Sequence, residues 1–331
     1  MLKKIAFWLV ILMAAFAMLG CDNGSTDGDD PVDIDIITCM YQDDDTGIYS
    51  LIAMRPDGTG RKWLYKGEPA MDPKQAFIGS DCKTLLFAND SDDDHVYICD
   101  LSTGQKTELF TDGACETPVF SSDMSKVYVS DHNRLWVIDV DSGNRDILYD
   151  ESKIFNPSFT ADGRIVFCTD NNMGWGRDIA IMNADGSEIR TIKEAEEDEG
   201  DIINCYMHPF SVPVLNRILY IKSHNVDGDR KAAEEYSICI MDTQGENEIT
   251  LKSSSSERYI TPSANAEGTK LAYFLSTNRN EGNIVVYSFN AANASLSSIK
   301  IAYNFANEKL TIWRPQFALF NREVYKALED F

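Results

Sequence analysis

A short pattern of apolar and polar residues recurs six times along the chain. Each copy reads as a short apolar strand, a polar turn and a second strand rich in β-branched and aromatic residues, as in NPSFTADGRIVFCTD from Asn156. The six copies begin at Gln75, Thr117, Asn156, His208, Thr261 and Arg314. Recurrence with a period of about 40–50 residues is typical of four-stranded propeller blades.

Further hairpins alternate with these copies, and their turns (DSG, ADG) carry the Asp and Gly that tight turns favour. We name the strands of a blade A to D from the centre outward. The patterned region opens with a B strand at Asp33–Asp43 that has no A strand before it, whereas Arg314–Phe320 is an A strand with no hairpin after it. We therefore predict an all-β, six-bladed β-propeller closed by pairing of the C-terminal strand into the first blade, which removes exposed sheet edges. A seventh, degenerate blade is the alternative.

The N-terminal residues are predicted to be a targeting segment. The apolar run Ile5–Leu19 follows two lysines and is shorter than the about 20 residues of a membrane span. Met18–Cys21 resembles the lipobox of bacterial lipoproteins, which implies cleavage before Cys21 and lipidation of Cys21; an uncleaved anchor is the alternative. We predict a signal peptide over residues 1–20 and a flexible acidic tether over residues 21–33.

The net charge of the chain limits the classes of partner that it can bind. The formal net charge is −23 at pH 7. Because such a charge repels phosphate backbones, we predict no nucleic-acid partner. We expect the acidic clusters of the chain to be solvated loops, and Ca²⁺ binding is the alternative. These clusters are Asp43–Gly47, Asp90–Asp94, Glu194–Asp201 and Asn225–Asp229.

The fourth blade resembles the repeats of TolB-type, WD-like propellers. NPSFTADGRIVFCTD and DIAIMNADGSEIRTI are similar to the patterns P-x-F-S-P-D-G-x-x-I-x-F and I-x-x-M-D-x-D-G of that family. The resemblance covers roughly Asp33 to Leu328 and implies a TolB-like propeller over residues 34–331. Later blades depart from it, with VPVLN and NAEG in place of the S-x-D-G turn. TolB has an additional α/β domain, for which we expect no room here, so its role is not carried over.

A candidate ligand site lies at the mouth of the predicted channel. Five prolines are expected to open A strands: Pro118, Pro157, Pro209, Pro262 and Pro315. The residues before them, together with Gln75, are predicted to ring the mouth on the face of the D-to-A crossovers, with aromatic residues beside them. The predicted ligand-binding residues are Gln75, Thr117, Asn156, His208, Tyr259, Thr261, Trp313 and Arg314. Polar groups and a few aromatic rings around a concave mouth are typical of a ligand site, although strand starts are often polar for other reasons.

The sequence lacks the motifs of several enzyme classes. The chain contains no G-x-S-x-G, HExxH or P-loop motif. We predict a lipid-anchored cell-envelope propeller that binds a protein or glycan partner without catalysis and without a cofactor. The alternative is a metal-dependent lyase or hydrolase of acidic oligosaccharides, since oligogalacturonate lyases resemble this fold and use histidines with a divalent metal. That alternative needs Mn²⁺ or Ca²⁺ held by at least three of His95, His132, His208 and His224. A purely structural scaffold is a third possibility.

Overall fold

The computed structural model is a ring of six β-sheets around a central channel. It describes residues 33–43, 45–67, 73–89, 95–111, 115, 117–131, 133–170, 178–198, 201–224, 235–278, 281–291, 293–304 and 310–330. The predicted signal peptide, Cys21 and the tether before Asp33 lie outside the described residues. Within the described part, no helix is long and apolar enough to cross a bilayer.

The strands of the first three blades follow in chain order. Blade one receives β1 (Asp33–Asp43), β2 (Tyr49–Met54) and β3 (Lys62–Tyr65). Blade two contains β4 (Pro73–Ile78), β5 (Thr84–Asn89), β6 (His95–Asp100) and β7 (Gln105–Phe110). Blade three contains β8 (Val119–Phe120), β9 (Lys126–Ser130), β10 (Leu135–Asp139) and β11 (Arg145–Tyr149).

The remaining blades continue in the same way. Blade four contains β12 (Lys153–Phe159), β13 (Ile165–Asp170), β14 (Asp178–Met182) and β15 (Arg190–Lys193). Blade five contains β16 (Glu196–Asp198), β17 (Asp201–Val212), a 3-10 turn (Pro213–Leu215), β18 (Arg217–His224), β19 (Glu235–Asp242) and β20 (Ile249–Ser254). Blade six contains β21 (Arg258–Ala264), β22 (Lys270–Asn278), β23 (Glu281–Asn290) and β24 (Ser295–Asn304), and the described chain ends with β25 (Leu310–Asn321) and α1 (Arg322–Ala327).

Burial follows the radial position of each strand. The second strand of a blade reads as a nearly continuous apolar run, such as TLLFAN in β5, because neighbouring blades cover both of its faces. Outer strands such as β7 (QKTELF) are largely exposed. Among the described residues, six buried apolar clusters lie one at each seam between neighbouring blades. The core of the protein is therefore a set of six seams around the channel.

The ring closes as the strand pattern predicts. β25 is the inner strand of blade one and pairs antiparallel with β1, with Ile34 opposite Phe320 and Thr38 opposite Gln316. Phe320 is fully buried in the seam with blade two. Six-bladed closure by the C-terminal strand is thus confirmed, and the alternative of a seventh blade is wrong.

The chain end fastens onto the outer strand of blade one. The Asn321 side chain accepts hydrogen bonds from the backbone N–H groups of Glu323 and Val324, so a short helix begins there. Beyond the helix, the backbone N–H of Trp63 in β3 donates to the Glu329 carbonyl (3.0 Å), and Lys62 Nζ lies 2.7 Å from Asp330 Oδ1. The tail therefore ties β25 to the rim of its own blade.

The crossover into blade five differs from the prediction. Glu194–Asp201 was expected to be a solvated loop, but Glu196–Asp198 forms β16, which pairs with the start of β17. The Glu196 carboxylate accepts hydrogen bonds from the Asn204 side-chain amide and, at 3.3 Å, from the Tyr206 hydroxyl. These bonds fold the acidic segment back onto the strand that follows it.

Candidate functional site

The predicted ring residues sit at breaks in strand register. Pairing shifts between Phe155 and Ser158, between Met207 and Phe210, and between Ile260 and Ser263, which leaves three X-Pro pairs unpaired inside their strands. These pairs are Asn156-Pro157, His208-Pro209 and Thr261-Pro262. The expectation that these prolines open A strands is therefore wrong. A bulge inside a strand accommodates proline because the unpaired position needs no N–H donor.

The backbone of the ring residues is left-handed at these bulges. The φ angles are +52° at Asn156, +51° at His208 and +45° at Thr261. Asn and His tolerate this region, but a β-branched Thr rarely adopts it. Such a conformation costs on the order of 1–3 kcal/mol and persists only where the surrounding structure enforces it. Thr261 is therefore a strained residue held by the sheet on either side.

A cavity of about 400 Å³ occupies the channel next to the bulges. The inner strand of every blade contributes to its wall, through Ala76, Val119, Pro157, Pro209, Pro262 and Gln316. Residues of the A–B turns also line it, including Ser80, Ser121, Pro213 and Ala266. The prediction put the site at the D-to-A crossover face. The cavity instead extends from the bulges to the A–B turns, because the bulges lie within the strands.

Two ring residues from neighbouring blades meet at the cavity wall. His208 Nδ1 lies 3.1 Å from Asn156 Oδ1, and both residues line the cavity. Because an amide oxygen only accepts hydrogen bonds, this pair places a proton on Nδ1 of the imidazole. The contact joins blade four to blade five and fixes the orientation of the His208 ring.

Thr261 presents a polar atom that lacks a partner. The residue is 4% exposed, and its Oγ1 has no hydrogen-bond partner within the described part of the chain. Leaving a buried hydroxyl unsatisfied costs about 1–3 kcal/mol. The same residue lines the cavity and has a strained backbone. Thr261 therefore combines a strained backbone with an unsatisfied buried hydroxyl at the wall of the cavity.

Much of the rest of the lining is apolar, a feature that the sequence pattern does not indicate. Phenylalanines of five blades line the cavity: Phe77, Phe120, Phe159, Phe210 and Phe317. The described lining contains no Asp, Glu, Lys or Arg. The Phe of the recurring P-x-F pattern was the available signal, but it reads equally well as core. The site can hold an uncharged apolar group with a hydrogen-bonding end.

The other predicted ligand-binding residues either lie away from the cavity or have side chains outside the described part of the chain. Thr117 is 1% exposed, and its Oγ1 lies 3.1 Å from Ser130 Oγ. Tyr259 is packed edge-on against Tyr273 and donates to Glu257 Oε2 (2.9 Å); burial, followed by this hydrogen bond, raises the pKa of Tyr259 to about 12. Neither of them is among the residues that line the cavity. The side chains of Gln75, Trp313 and Arg314 lie outside the described residues.

Comparison with known proteins gives a fold and no family. No protein-family model and no curated protein matches the chain. TolB from Acinetobacter baumannii aligns with a TM-score of 0.65 and 15% identity over 86% of this chain, which spans 66% of that chain. The fold is a TolB-type six-bladed β-propeller.

Other solved structures align with lower TM-scores at similarly low identity. An oligogalacturonate lyase in complex with manganese aligns with a TM-score of 0.54 and 16% identity, covering 80% of this chain and 84% of that one. A chain of a nidogen–laminin complex aligns with a TM-score of 0.59 and 13% identity, covering 86% and 98%. Because a propeller hosts many unrelated functions, these likenesses define the scaffold and leave function to the site.

The described histidines of this TolB-type propeller each lie beside a different side chain. Besides the His208–Asn156 pair, His95 Nδ1 lies 3.2 Å from Glu108 Oε2, and His224 Nδ1 lies 2.9 Å from Asn204 Oδ1. His132 lies outside the described residues. Among the described side chains, no three His, Cys, Asp or Glu residues are grouped closely enough to hold a metal ion. We therefore derive no step through a metal.

Proposed function

We propose that this chain is a lipid-anchored propeller of the bacterial cell envelope that binds a protein or glycan ligand in its central cavity without catalysing a reaction. The observation that carries the proposal is Thr261, a residue lining the cavity of about 400 Å³ that has a strained backbone and a buried hydroxyl with no hydrogen-bond partner within the described part of the chain. The lipobox at Met18–Cys21 supports the anchor. The TolB-type fold supports placement in the envelope.

The energetics favour a ligand that hydrogen-bonds Thr261. A ligand group that pairs with the hydroxyl recovers the about 1–3 kcal/mol lost by leaving it unsatisfied, which is a factor of about 5 to 150 in affinity. The Asn156–His208 pair supplies further polar atoms on the wall, and the phenylalanines bury the apolar part of the ligand. Binding rather than chemistry is consistent with a wall that lacks charged side chains among the described residues.

Thr261→Val tests the proposal, since it removes the hydroxyl and keeps the branched shape. Fractions of envelope extract, muropeptides and neutral oligosaccharides are screened for compounds that raise the unfolding temperature of the purified chain. For a compound that does so, we expect at least about fivefold weaker binding to Thr261→Val. We also expect the unliganded variant to be more stable by about 1–3 kcal/mol, because the unsatisfied group is gone.

Thr250→Val is the matched control. It makes the same chemical change at an exposed residue of the outer strand β20, away from the cavity. We expect this control to bind the compound as the wild type does. Equal affinity of wild type, Thr261→Val and His208→Ala for every stabilising compound would rule out the cavity as the site. Loss of membrane association on Cys21→Ala tests the anchor separately.

Metal-dependent lyase activity stays a prediction, and it is tested by a separate measurement. Elemental analysis of the purified chain and an assay of oligogalacturonate cleavage with added Mn²⁺ decide it. Cleavage that depends on Mn²⁺ would replace the binding proposal with an enzymatic one.

A further inference from the structure

We propose that blade one carries a second site, a pocket for a phosphate-type anion, which the headgroup of an anionic phospholipid fills beside the tether. In this blade the two inner strands come from opposite ends of the chain, so no turn joins β25 to β1. A pocket of about 310 Å³ lies at this point. Its lining residues are Ile34, Arg55, Arg322, Tyr325 and Lys326.

The fold holds the cationic residues in place from two sides. Arg55 begins the C–D turn that follows β2, and its backbone N–H donates to the Thr59 carbonyl (3.0 Å). Arg322 and Lys326 are four residues apart on α1, so they share one face of the helix. The Tyr325 hydroxyl donates to the Gly60 carbonyl, which joins the helix to the turn. The pocket is therefore built from two elements that are bonded to each other.

The ionisable lining residues with a charge at neutral pH are all cationic, although the chain is strongly acidic. The three cations line one small pocket in a chain of net charge −23. Distant carboxylates matter little there, because the screening length is about 8 Å at physiological ionic strength. The local balance of charge then decides which ion enters.

Two carboxylates near the pocket are engaged with groups outside its lining. Asp57 Oδ1 accepts from the N–H and hydroxyl of Thr59, and Asp330 pairs with Lys62. Glu323 lies 2.8 Å from Lys326 Nζ, but both side chains are mostly exposed, and such pairs are weak. Arg55 makes no ion pair within the described part of the chain. Arg55 thus offers its charge to an anion in the pocket.

The residue types indicate the class of ligand. A guanidinium binds phosphate through two parallel N–H···O bonds, and an ammonium adds a point charge. The volume of about 310 Å³ is at the small end of ligand pockets, which suits a phosphate headgroup and excludes the acyl chains. A free phosphate and a phosphodiester headgroup share this chemistry.

The position of the pocket favours the lipid as the source, and this part rests on the proposed lipid anchor. Ile34 lines the pocket, and Cys21 lies twelve residues before Asp33. Twelve extended residues span at most about 40 Å, so the anchor keeps the pocket within that distance of the bilayer. The A–B turn residues of the central cavity lie on the same face of the ring, since β1 begins where A–B turns lie in the other blades. A bound headgroup would turn this face toward the membrane.

Inorganic phosphate is the first probe. The unfolding temperature of the full chain in detergent is measured in phosphate and in chloride at matched ionic strength, for the wild type, Arg55→Gln and Lys83→Gln. Lys83 is an exposed cation in the A–B turn of blade two, so it controls for charge removal on the same face. We expect phosphate to stabilise the wild type and Lys83→Gln, with about tenfold or more weaker phosphate affinity in Arg55→Gln.

Phospholipid vesicles are the second probe. We expect the full chain reconstituted in phosphatidylglycerol vesicles without free phosphate to unfold at a higher temperature than in phosphatidylcholine vesicles, and Arg55→Gln alone to lose this difference. Stabilisation by phosphate but not by phosphatidylglycerol overturns the lipid source and keeps the anion site. Phosphate no better than chloride, or equal behaviour of the two variants, overturns the pocket. A chain that does not enter vesicles refutes the anchor, and the phosphate measurement still decides the pocket.

Discussion

Closure of the ring makes a quantitative prediction at Phe320. This residue is fully buried between blades one and two, lies opposite Ile34 on β1 and packs edge-on against Tyr325, with ring centroids 5.7 Å apart. Truncating a buried Phe to Ala costs about 3–5 kcal/mol through lost burial and the cavity left behind. We expect Phe320→Ala to lose that amount, because the strand that closes the ring has little freedom to collapse into the gap.

Leu319→Ala is the matched control, because its neighbouring side chain on the same strand is 38% exposed. We expect this variant to lose about 1 kcal/mol or less. Urea unfolding followed by tryptophan fluorescence measures both. With a slope of about 3 kcal/mol per molar urea, Phe320→Ala should lower the midpoint by about 1 M or more. Equal midpoints for the two variants would refute the argument that β25 is packed into the ring as a core strand.

Two further predictions concern the turns. Hydrogen bonds from the side chains of Ser102, Ser121 and Ser187 hold the pKa values of Asp100, Asp123 and Asp185 below their ordinary value, so the stability they contribute is present above about pH 4 and is lost as the pH falls below it. Calorimetry between about pH 5 and pH 3 should show a falling unfolding temperature, and a constant one would contradict this linkage. At Gly245 (φ +88°) an added Cβ would lie 1.9 Å from the Ile192 carbonyl oxygen across the seam, whereas at Gly143 (φ +70°) it would meet nothing within 4 Å. Gly143→Ala should therefore lower the free energy of unfolding by only about 1–2 kcal/mol, the cost of a left-handed alanine. Gly245→Ala should lower it by several kcal/mol more. Similar losses for the two variants in urea unfolding would contradict the close packing of Gly245 against Ile192.

Much of the fold could be predicted because the repeats constrain one another. Alternating and continuous apolar runs separated by Asp-Gly turns define hairpins. The B strand that begins at Asp33 lacks an inner neighbour, and the A strand near the C-terminus lacks an outer one, so each strand completes the other's sheet. A strand count of this kind depends on pattern alone, since an unpaired inner edge is unfavourable wherever it occurs. The prediction of six blades needed no long-range contact to be known.

The site was less predictable because it depends on register. A single break in pairing moves Asn156, His208 and Thr261 from strand starts to bulges inside strands, and no local pattern marks that break. Thr117 occupies the matching position in sequence, yet β8 is short and its pairs carry no such break, and Thr117 is buried against Ser130.

The pocket in blade one illustrates a second limit. It brings together Arg55 and Arg322, which come from opposite ends of the chain and meet only when the ring is closed. A sequence pattern cannot show that meeting, because charged residues at turns and helix faces are common in any soluble chain.

The pairing of β1 with β25 also constrains how this protein can be made. β1 is the first strand of the ring to leave the ribosome, and its inner neighbour is the last. Until residue 310 has been synthesised, β1 presents an open edge that can recruit other chains. A nascent chain of this kind has to be shielded through almost its entire synthesis, and premature termination anywhere before β25 yields a product that cannot complete its first sheet.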